Sequence, residues 1–225
     1  MRKNRRILVV VAHPDDEVLG CGGTIARHVD EGSEVTLFVL TDGVGARGES
    51  TESSHIRSLE LRESARVLGI TSVIQDNLPD NKLDSIPLLE VTHKIAPILD
   101  EVRPHIIYTH FLYDLNQDHS VIARAVRVLT RPSPLNVIEA VLMMEVHSST
   151  EWAFGENSQF SPNYFIALNE RQMDLKVKAL SKYVSELREP PHPRRVEHAR
   201  IAAQYRGAQS GCKYSEAFML LRSVN

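Results

Sequence analysis

Ile7-Leu8-Val9-Val10-Val11-Ala12-His13-Pro14-Asp15-Asp16-Glu17 is the stretch from which the fold can be read. Its first six residues are apolar without interruption and rich in Val, the pattern of a strand covered on both faces and hence of a parallel sheet. The run stops at one imidazole and three carboxylates. Ligands of parallel sheets bind beyond the carboxyl ends of the strands, and these side chains sit at such an end. An imidazole beside carboxylates suits a divalent cation. Three nitrogen or oxygen ligands with one position left for water make a hydrolytic centre. Pro14, with its fixed φ, stiffens the turn between His13 and the acids. The basic start Met1-Arg2-Lys3-Asn4-Arg5-Arg6 resembles the opening of a signal peptide, but an apolar run of six residues ending in His-Pro-Asp-Asp is too short and too polar for one. It reads as a first buried strand.

Outward from that strand the pattern alternates. Strand-like segments are Ile7–Ala12, Glu34–Leu40, Thr71–Gln75, His105–His110 and Val137–Met144. Helix-like segments are Asp16–Glu31, Ser54–Leu68, Ile86–Val102 and Asp118–Thr130. Gly32 and Gly69 stand where helices stop, and Arg103-Pro104 breaks the third. This alternation predicts an α/β fold with a mainly parallel sheet, right-handed crossovers and flanking helices. After about residue 145 the rhythm changes to a long loop over Glu145–Pro162, a charged helix over Asn169–Glu186, a Pro-rich break at 189–193, a helix over Val196–Ala208 and a closing segment Ser215–Arg222. The loops Asp42–Ser53 and Glu145–Pro162 are candidates for substrate contact.

The totals narrow the function. A chain of 225 residues suits one α/β domain, or one with a small appendage. A formal net charge of −3 gives no reason to expect nucleic acid or an anionic membrane as partner. No apolar stretch approaches the ~18 residues of a transmembrane helix. Cys21 and Cys212 are the only cysteines, far apart and in no CxxC pair, which fits a reduced, cytoplasmic protein without a thiolate zinc cluster.

The fourth strand-like segment also ends in metal-capable residues, from His110 through Phe111-Leu112-Tyr113-Asp114-Leu115-Asn116-Gln117-Asp118 to His119. If the two strand ends are neighbours, they can close a His/Asp/His site. Each residue has a plainer reading. Asp15 and Asp16 could cap the first helix and complement its dipole. Asp118 and His119 could be a helix start and a surface histidine. Glu17 suits a supporting or first-turn role. Gly20, Gly22 and Gly23 make no GxGxxG fingerprint, and bring the first helix close to the sheet or the metal loop.

Together these residues resemble the LmbE-like, or PIG-L, zinc-dependent de-N-acetylases. The specific match is Ala12-His13-Pro14-Asp15-Asp16-Glu17 in its strand-loop-helix setting, followed by Gly22-Gly23-Thr24. Weaker pieces follow: Val39-Leu40-Thr41-Asp42-Gly43, Arg57-x-x-Glu60, Leu78-Pro79-Asp80, Asn116-Gln117-Asp118-His119, Lys176-x-x-Ala179-Leu180 and Ser215-Glu216-Ala217-Phe218. The resemblance implies a Rossmann-like sheet in a single domain over residues 1–225, with a core over 5–145 and a small helical and strand extension over 146–225. It implies zinc held by His13, Asp16 and His119, with Asp15 as general base. It suggests Arg57 and Asp80 as substrate contacts, joined by Asp42 in the matching loop. Typical substrates are N-acetylglucosamine derivatives. One departure stands out. The first position of the family's HxxH segment is Asn116 here. An amide can hydrogen-bond a developing oxyanion but cannot deliver a proton. Asp15 would then act as base and afterwards as acid, or His147 or His110 would supply the proton.

The expected reaction is removal of an N-acetyl group from an amino sugar conjugate, with a metal-activated water attacking the amide and Asp15 taking its proton. Two imidazoles and one carboxylate suit zinc, with Fe2+ as the alternative. Three other readings compete: an amidase or deacylase for a non-sugar amide; a metal-dependent phosphoesterase or nucleotide-binding protein, for which the Asp-Asp-Glu cluster would suit magnesium; and a non-catalytic carbohydrate-binding relic, which Asn116 favours and an intact Asp15 opposes. A homo-oligomer is compatible with the charged Asn169–Glu186 helix, whose plainer reading is a solvated surface.

Overall fold

Strand β1, Arg6–Val11, is flanked by parallel strands on both sides, β2 (Glu34–Thr41) and β4 (Ile106–His110). This is a computed structural model, and it describes residues 4–45, 51–133, 138–155 and 159–224. With β3 (Ser72–Leu78), β5 (Ala140–Met144), β6 (Tyr164–Leu168) and β7 (Tyr214–Ser223) they form one seven-stranded sheet in the order β3-β2-β1-β4-β5-β7-β6. β1 to β5 are mutually parallel, and β7 runs antiparallel between β5 and β6. The mainly parallel α/β sheet read from the sequence is therefore the observed one.

The uninterrupted apolar run of β1 has a simple cause. Ile7, Val9 and Val11 face a core built with α1 (Asp16–Asp30), α2 (Thr51–Leu68), α5 (Glu170–Leu180) and α6 (Val196–Ser210). Leu8, Val10 and Ala12 face the other core, with α3 (Leu88–Val102) and α4 (Gln117–Leu129). With no solvent-facing side, no position calls for a polar residue. The chain moves outward from β1 to β2 and β3, then returns to place β4 on the other side of β1. That reversal opens a crevice between the carboxyl ends of β1 and β4, where open α/β sheets bind ligands.

Helix α1 breaks at Cys21, whose φ of −144° is not helical. The break frees the N–H groups of Gly23 and Thr24, which donate to the Glu216 carboxylate of β7 at 2.9 and 2.6 Å. Lys176 of α5 pairs with the same carboxylate at 2.6 Å. A Cβ on Gly23 would lie 2.3 Å from Leu168 Cδ1, so the glycine lets α1 sit directly against β6.

Several boundaries differ from the sequence reading. β3 continues past Gln75 to Leu78, because Leu78 still pairs with Thr41. The charged helix ends at Leu180 rather than Glu186. Asn169 and Gln172 close a capping box at its start, and past Ser181 the chain turns so that Tyr183 can donate its hydroxyl to Glu17 at 2.6 Å. β6 occupies the stretch between the expected loop and the expected charged helix, where the sequence pattern marks no strand. Of the candidate loops, residues 46–50 and 156–158 lie outside the described residues, as does Val137 at the start of the fifth strand-like segment. No helix among the described residues is long and apolar enough to cross a membrane.

Candidate active site

The turn after β1 and the first turn of α4 meet in the crevice. His13 Nδ1 lies 3.1 Å from Asp16 Oδ2, His119 Nε2 lies 3.3 Å from the same oxygen, and the two imidazole nitrogens are 3.3 Å apart. All three side chains are buried. Their grouping follows from local structure. The His13 backbone N–H donates to Asp16 Oδ2 at 2.8 Å, folding the turn back on itself. Asn116 caps α4 by accepting the Asp118 N–H at 2.9 Å, which sets the helical phase that turns His119 inward.

Each imidazole is oriented from behind. His13 Nε2 lies 3.0 Å from Asp80 Oδ1 and 3.3 Å from Asp118 Oδ2. Asp118 is itself fixed by the N–H groups of Asn81 and Leu83, at 2.7 and 3.0 Å. His119 Nδ1 lies 3.3 Å from Asp114 Oδ2. Asp114 accepts hydrogen bonds from the hydroxyls of Ser149 and Thr150. His110 stacks on His119, and its Nε2 accepts the Ala12 N–H at 2.8 Å.

The charges follow from these contacts. Burial would push the Asp16 carboxyl up, but the imidazoles of His119, His110 and His13 hold it well below the usual carboxylate range. Burial likewise works against protonated His13 and His119. The acids Asp16, Asp118 and Asp80 around the first, and Asp16 and Asp114 around the second, still raise both, His119 to about 9. Burial and the neighbouring His119 push His110 well down, so it stays neutral.

The donor set fits a divalent cation. Donors ~2.0–2.1 Å from a tetrahedral zinc stand about 3.3 Å from one another, which matches the 3.1–3.3 Å edges of the triangle. A lone proton between two imidazoles and a carboxylate engages two of them; a cation engages all three. Among the described residues Asp16 Oδ1 is buried with no hydrogen-bond partner. Backing of each imidazole by a carboxylate is the usual support for metal-binding histidines.

Beside the triangle lies an open cleft lined by His13, Asp15, Gly43, Arg57, Asp80, Asn81, Asn116, Glu186 and Arg194. Asp15 enters it with φ at +106°, a strained conformation of the kind that collects at functional sites. Glu17 braces this strain by accepting the Asp15 N–H at 3.1 Å, and is held by Ser64 and Tyr183. Burial raises Glu17 to about 7. Among the described residues Asp15 Oδ2 accepts no hydrogen bond, and it lies 3.5 Å from Arg194 Nη1 and 4.0 Å from Arg57 Nη2. Burial raises the Asp15 pKa, while Arg194 and Arg57 oppose the rise.

The remaining sequence candidates are distributed unevenly. Asn116 lines the cleft. Its carbonyl is occupied by the cap, and its Nδ2 donates one hydrogen bond to Asn81 Oδ1 at 3.3 Å, which leaves its second N–H as a donor. Arg57 reaches the cleft wall but is buried, donating to Pro14 O and pairing with Glu186 at 3.5 Å, so it holds the turn as well as facing the cleft. Asp80 also lines the cleft, with one oxygen directed to His13. Asp42 is not among the lining residues. Its carboxylate accepts the Val44 N–H and the Ser54 hydroxyl, and Gly43 faces the cleft in its place. His147 is not among them either. It stands edge-to-face with His198, their ring centroids 4.9 Å apart. Burial lowers its pKa.

Sequence reasoning missed Arg194, Glu186, Asp114 and Asp118 as site residues. For the two aspartates a signal existed, since both lie within five residues of His119. Arg194 and Glu186 follow α5, some 170 to 180 residues beyond the His13–Glu17 turn, on either side of the Pro-rich break.

Comparison with known proteins places the chain in a family. Residues 8–130, more than half of the chain, match the family described as PIG-L: GlcNAc-PI de-N-acetylase. The diacetylchitobiose deacetylase of Thermococcus kodakarensis is 26% identical over 98% of this chain and 84% of its own. A probable N-acetyl-alpha-D-glucosaminyl L-malate deacetylase 2 of Bacillus cereus is 30% identical over 68% of this chain and 73% of its own. The solved structure of the conserved protein TT1542 from Thermus thermophilus superposes with a TM-score of 0.77 at 27% identity, covering 98% of this chain and 96% of that one. The chain belongs to the PIG-L, or LmbE-like, family.

Proposed function

We propose that this protein is a metal-dependent de-N-acetylase acting on an N-acetylglucosamine-type amino sugar conjugate. The observation that carries the reading is Asp15 in the lining of the cleft beside the His13, Asp16 and His119 triangle, with one carboxylate oxygen that accepts no hydrogen bond among the described residues. A base next to a cation site, at the wall of an open cleft, is what amide hydrolysis requires. The Thermococcus relative is a diacetylchitobiose deacetylase and the Bacillus relative a probable N-acetyl-alpha-D-glucosaminyl L-malate deacetylase, which supports the substrate class.

In this reading His13, Asp16 and His119 hold zinc, with Fe2+ as the alternative. The ion supplies Lewis acidity, which lowers the pKa of water and polarises a carbonyl. Asp15 takes a proton from the attacking water as its oxygen bonds to the acetyl carbon. Arg194 and Arg57 keep the Asp15 carboxylate ionised and aimed. Asn116 Nδ2 donates to the carbonyl oxygen as negative charge gathers there. When the carbon–nitrogen bond breaks, Asp15 returns its proton to the departing nitrogen, leaving acetate and a free amine. Asp80 and Asn81 are placed to meet sugar hydroxyls at the cleft wall. The whole chain acts as one catalytic domain, since β6, β7 and the segment carrying Arg194 complete the sheet and the cleft.

The test is acetate release from a panel of N-acetylated amino sugars and non-sugar acetamides, before and after chelation and with zinc restored. Release from the sugars alone, lost on chelation and recovered with zinc, is the expected result. Release only from non-sugar acetamides would transfer the reading to a general amidase. Full activity after complete metal removal would end it.

A further inference from the structure

We propose that His147, Glu151 and His198 form a second cation site, distinct from the cleft, that takes a borderline divalent transition ion such as zinc. The three offer ligand atoms that all lie within 4.8 Å of one another. They come from two elements far apart in sequence, the turn that follows β5 and the first turns of α6. Two imidazoles and a carboxylate form a donor set selective for zinc, cobalt, nickel or copper over magnesium and calcium.

Local geometry prepares these side chains. Glu151 is held over the turn because its Oε1 accepts the Ser148 N–H at 2.8 Å. The rings of His147 and His198 meet edge to face at 85°, so their nitrogens do not stack against one another. No side-chain hydrogen bond engages either ring among the described residues, which leaves nitrogen lone pairs available. Zinc donors stand about 3.3 Å apart, so the group must close by ~1.5 Å at most. Glu151 is exposed and the two histidines are only partly buried, so rotamer changes can supply that movement.

The position gives such an ion a structural role. The same short turn carries Ser149 and Thr150, whose hydroxyls hold Asp114, which in turn faces His119. It also carries Ser148, whose hydroxyl accepts from Arg194 Nε. A cation joining His147 and Glu151 to His198 would fasten α6 to the turn that supports both the His119 side and the Arg194 side of the cleft. The inference does not depend on the proposed reaction.

Equilibrium dialysis of the full chain against micromolar zinc chloride, with zinc counted by elemental analysis, tests it. His198→Ala should bind one equivalent fewer than the unaltered protein, and His147→Gln should show the same loss. Excess magnesium should leave the difference intact. The readout is a difference, so failure of the His13, Asp16 and His119 site would lower both counts equally and could not imitate failure here. Equal zinc in the unaltered protein and both variants would overturn the proposal. If His198→Ala does not fold, the His147→Gln comparison decides alone.

Discussion

The imidazole of His119 lies flat against that of His110, with ring centroids 3.8 Å apart and planes 9° from parallel. Because His110 Nε2 also accepts the Ala12 N–H, one ring at the end of β4 holds the end of β1 and backs His119 of α4. His110 is thus a positioning residue. His110→Phe keeps the stacked surface but leaves the Ala12 N–H without its acceptor. We expect zinc affinity to fall by roughly 10–100-fold, as on loss of other groups that orient metal ligands. Competition against a chromogenic chelator measures it. Unchanged affinity would show that the stack alone suffices.

Asp15→Asn should separate binding from chemistry. The amide fits the same space and leaves His13, Asp16 and His119 in place, but cannot take a proton. Zinc content should match the unaltered protein, while kcat falls by about 10²–10⁴. Substantial remaining turnover with full zinc content would remove Asp15 from the role of base.

His28 gives the fold an acid-sensitive point away from the cleft. It lies in the last turn of α1, is buried, and shares a 2.8 Å hydrogen bond with Tyr108. Burial lowers its pKa to about 4, against ~6.5 in an unfolded chain. The folded state therefore resists a proton that the unfolded state accepts. This contribution is complete above about pH 6.5, declines as pH falls, and is gone near pH 4, a loss of roughly 3 kcal/mol. Urea unfolding across that range, compared with His28→Gln, isolates it. The variant should show a shallower loss of stability on acidification; parallel curves would reject the assignment.

Gly207 sits where α6 crosses the chain leading into β7. A Cβ there would lie 2.6 Å from the Cys212 carbonyl oxygen and 2.7 Å from that of Lys213. Backbone cannot turn aside as a side chain can. Gly207→Ala should therefore destabilise by about 1–3 kcal/mol, despite alanine's better helix propensity. Denaturant midpoints would read this directly, and a stabilised variant would contradict the close approach.

The architecture was legible where the physics is local. The unbroken Val-rich run of β1, the stops at Gly32 and Gly69 and the acids after His13 each carry their meaning within a few residues. β6 was not legible. Tyr164–Leu168 is only half-buried, and it becomes a strand because β7 pairs with it from some fifty residues away. The same limit applied to the cleft. His13, Asp16 and His119 stand at strand and helix ends that sequence patterns mark, whereas Arg194 reaches Asp15 only through the path of the chain after α5. Asp42 and His147 illustrate the reverse case. Each lies at a strand end beside the crevice, but side-chain direction, which spacing does not encode in loops, turns Asp42 to Ser54 and His147 to His198.

The interior placement of β7 imposes a sequence of events on the nascent polypeptide. β6 leaves the ribosome before β7 yet has no neighbour in the sheet until β7 has inserted beside β5. Until then the N–H groups exposed at the kink in α1 also wait for Glu216. Such long-range pairing is intrinsically slow. The helix that bears Asp16 is therefore secured from behind only once β7 is in place, after the parallel strands that precede it in the chain.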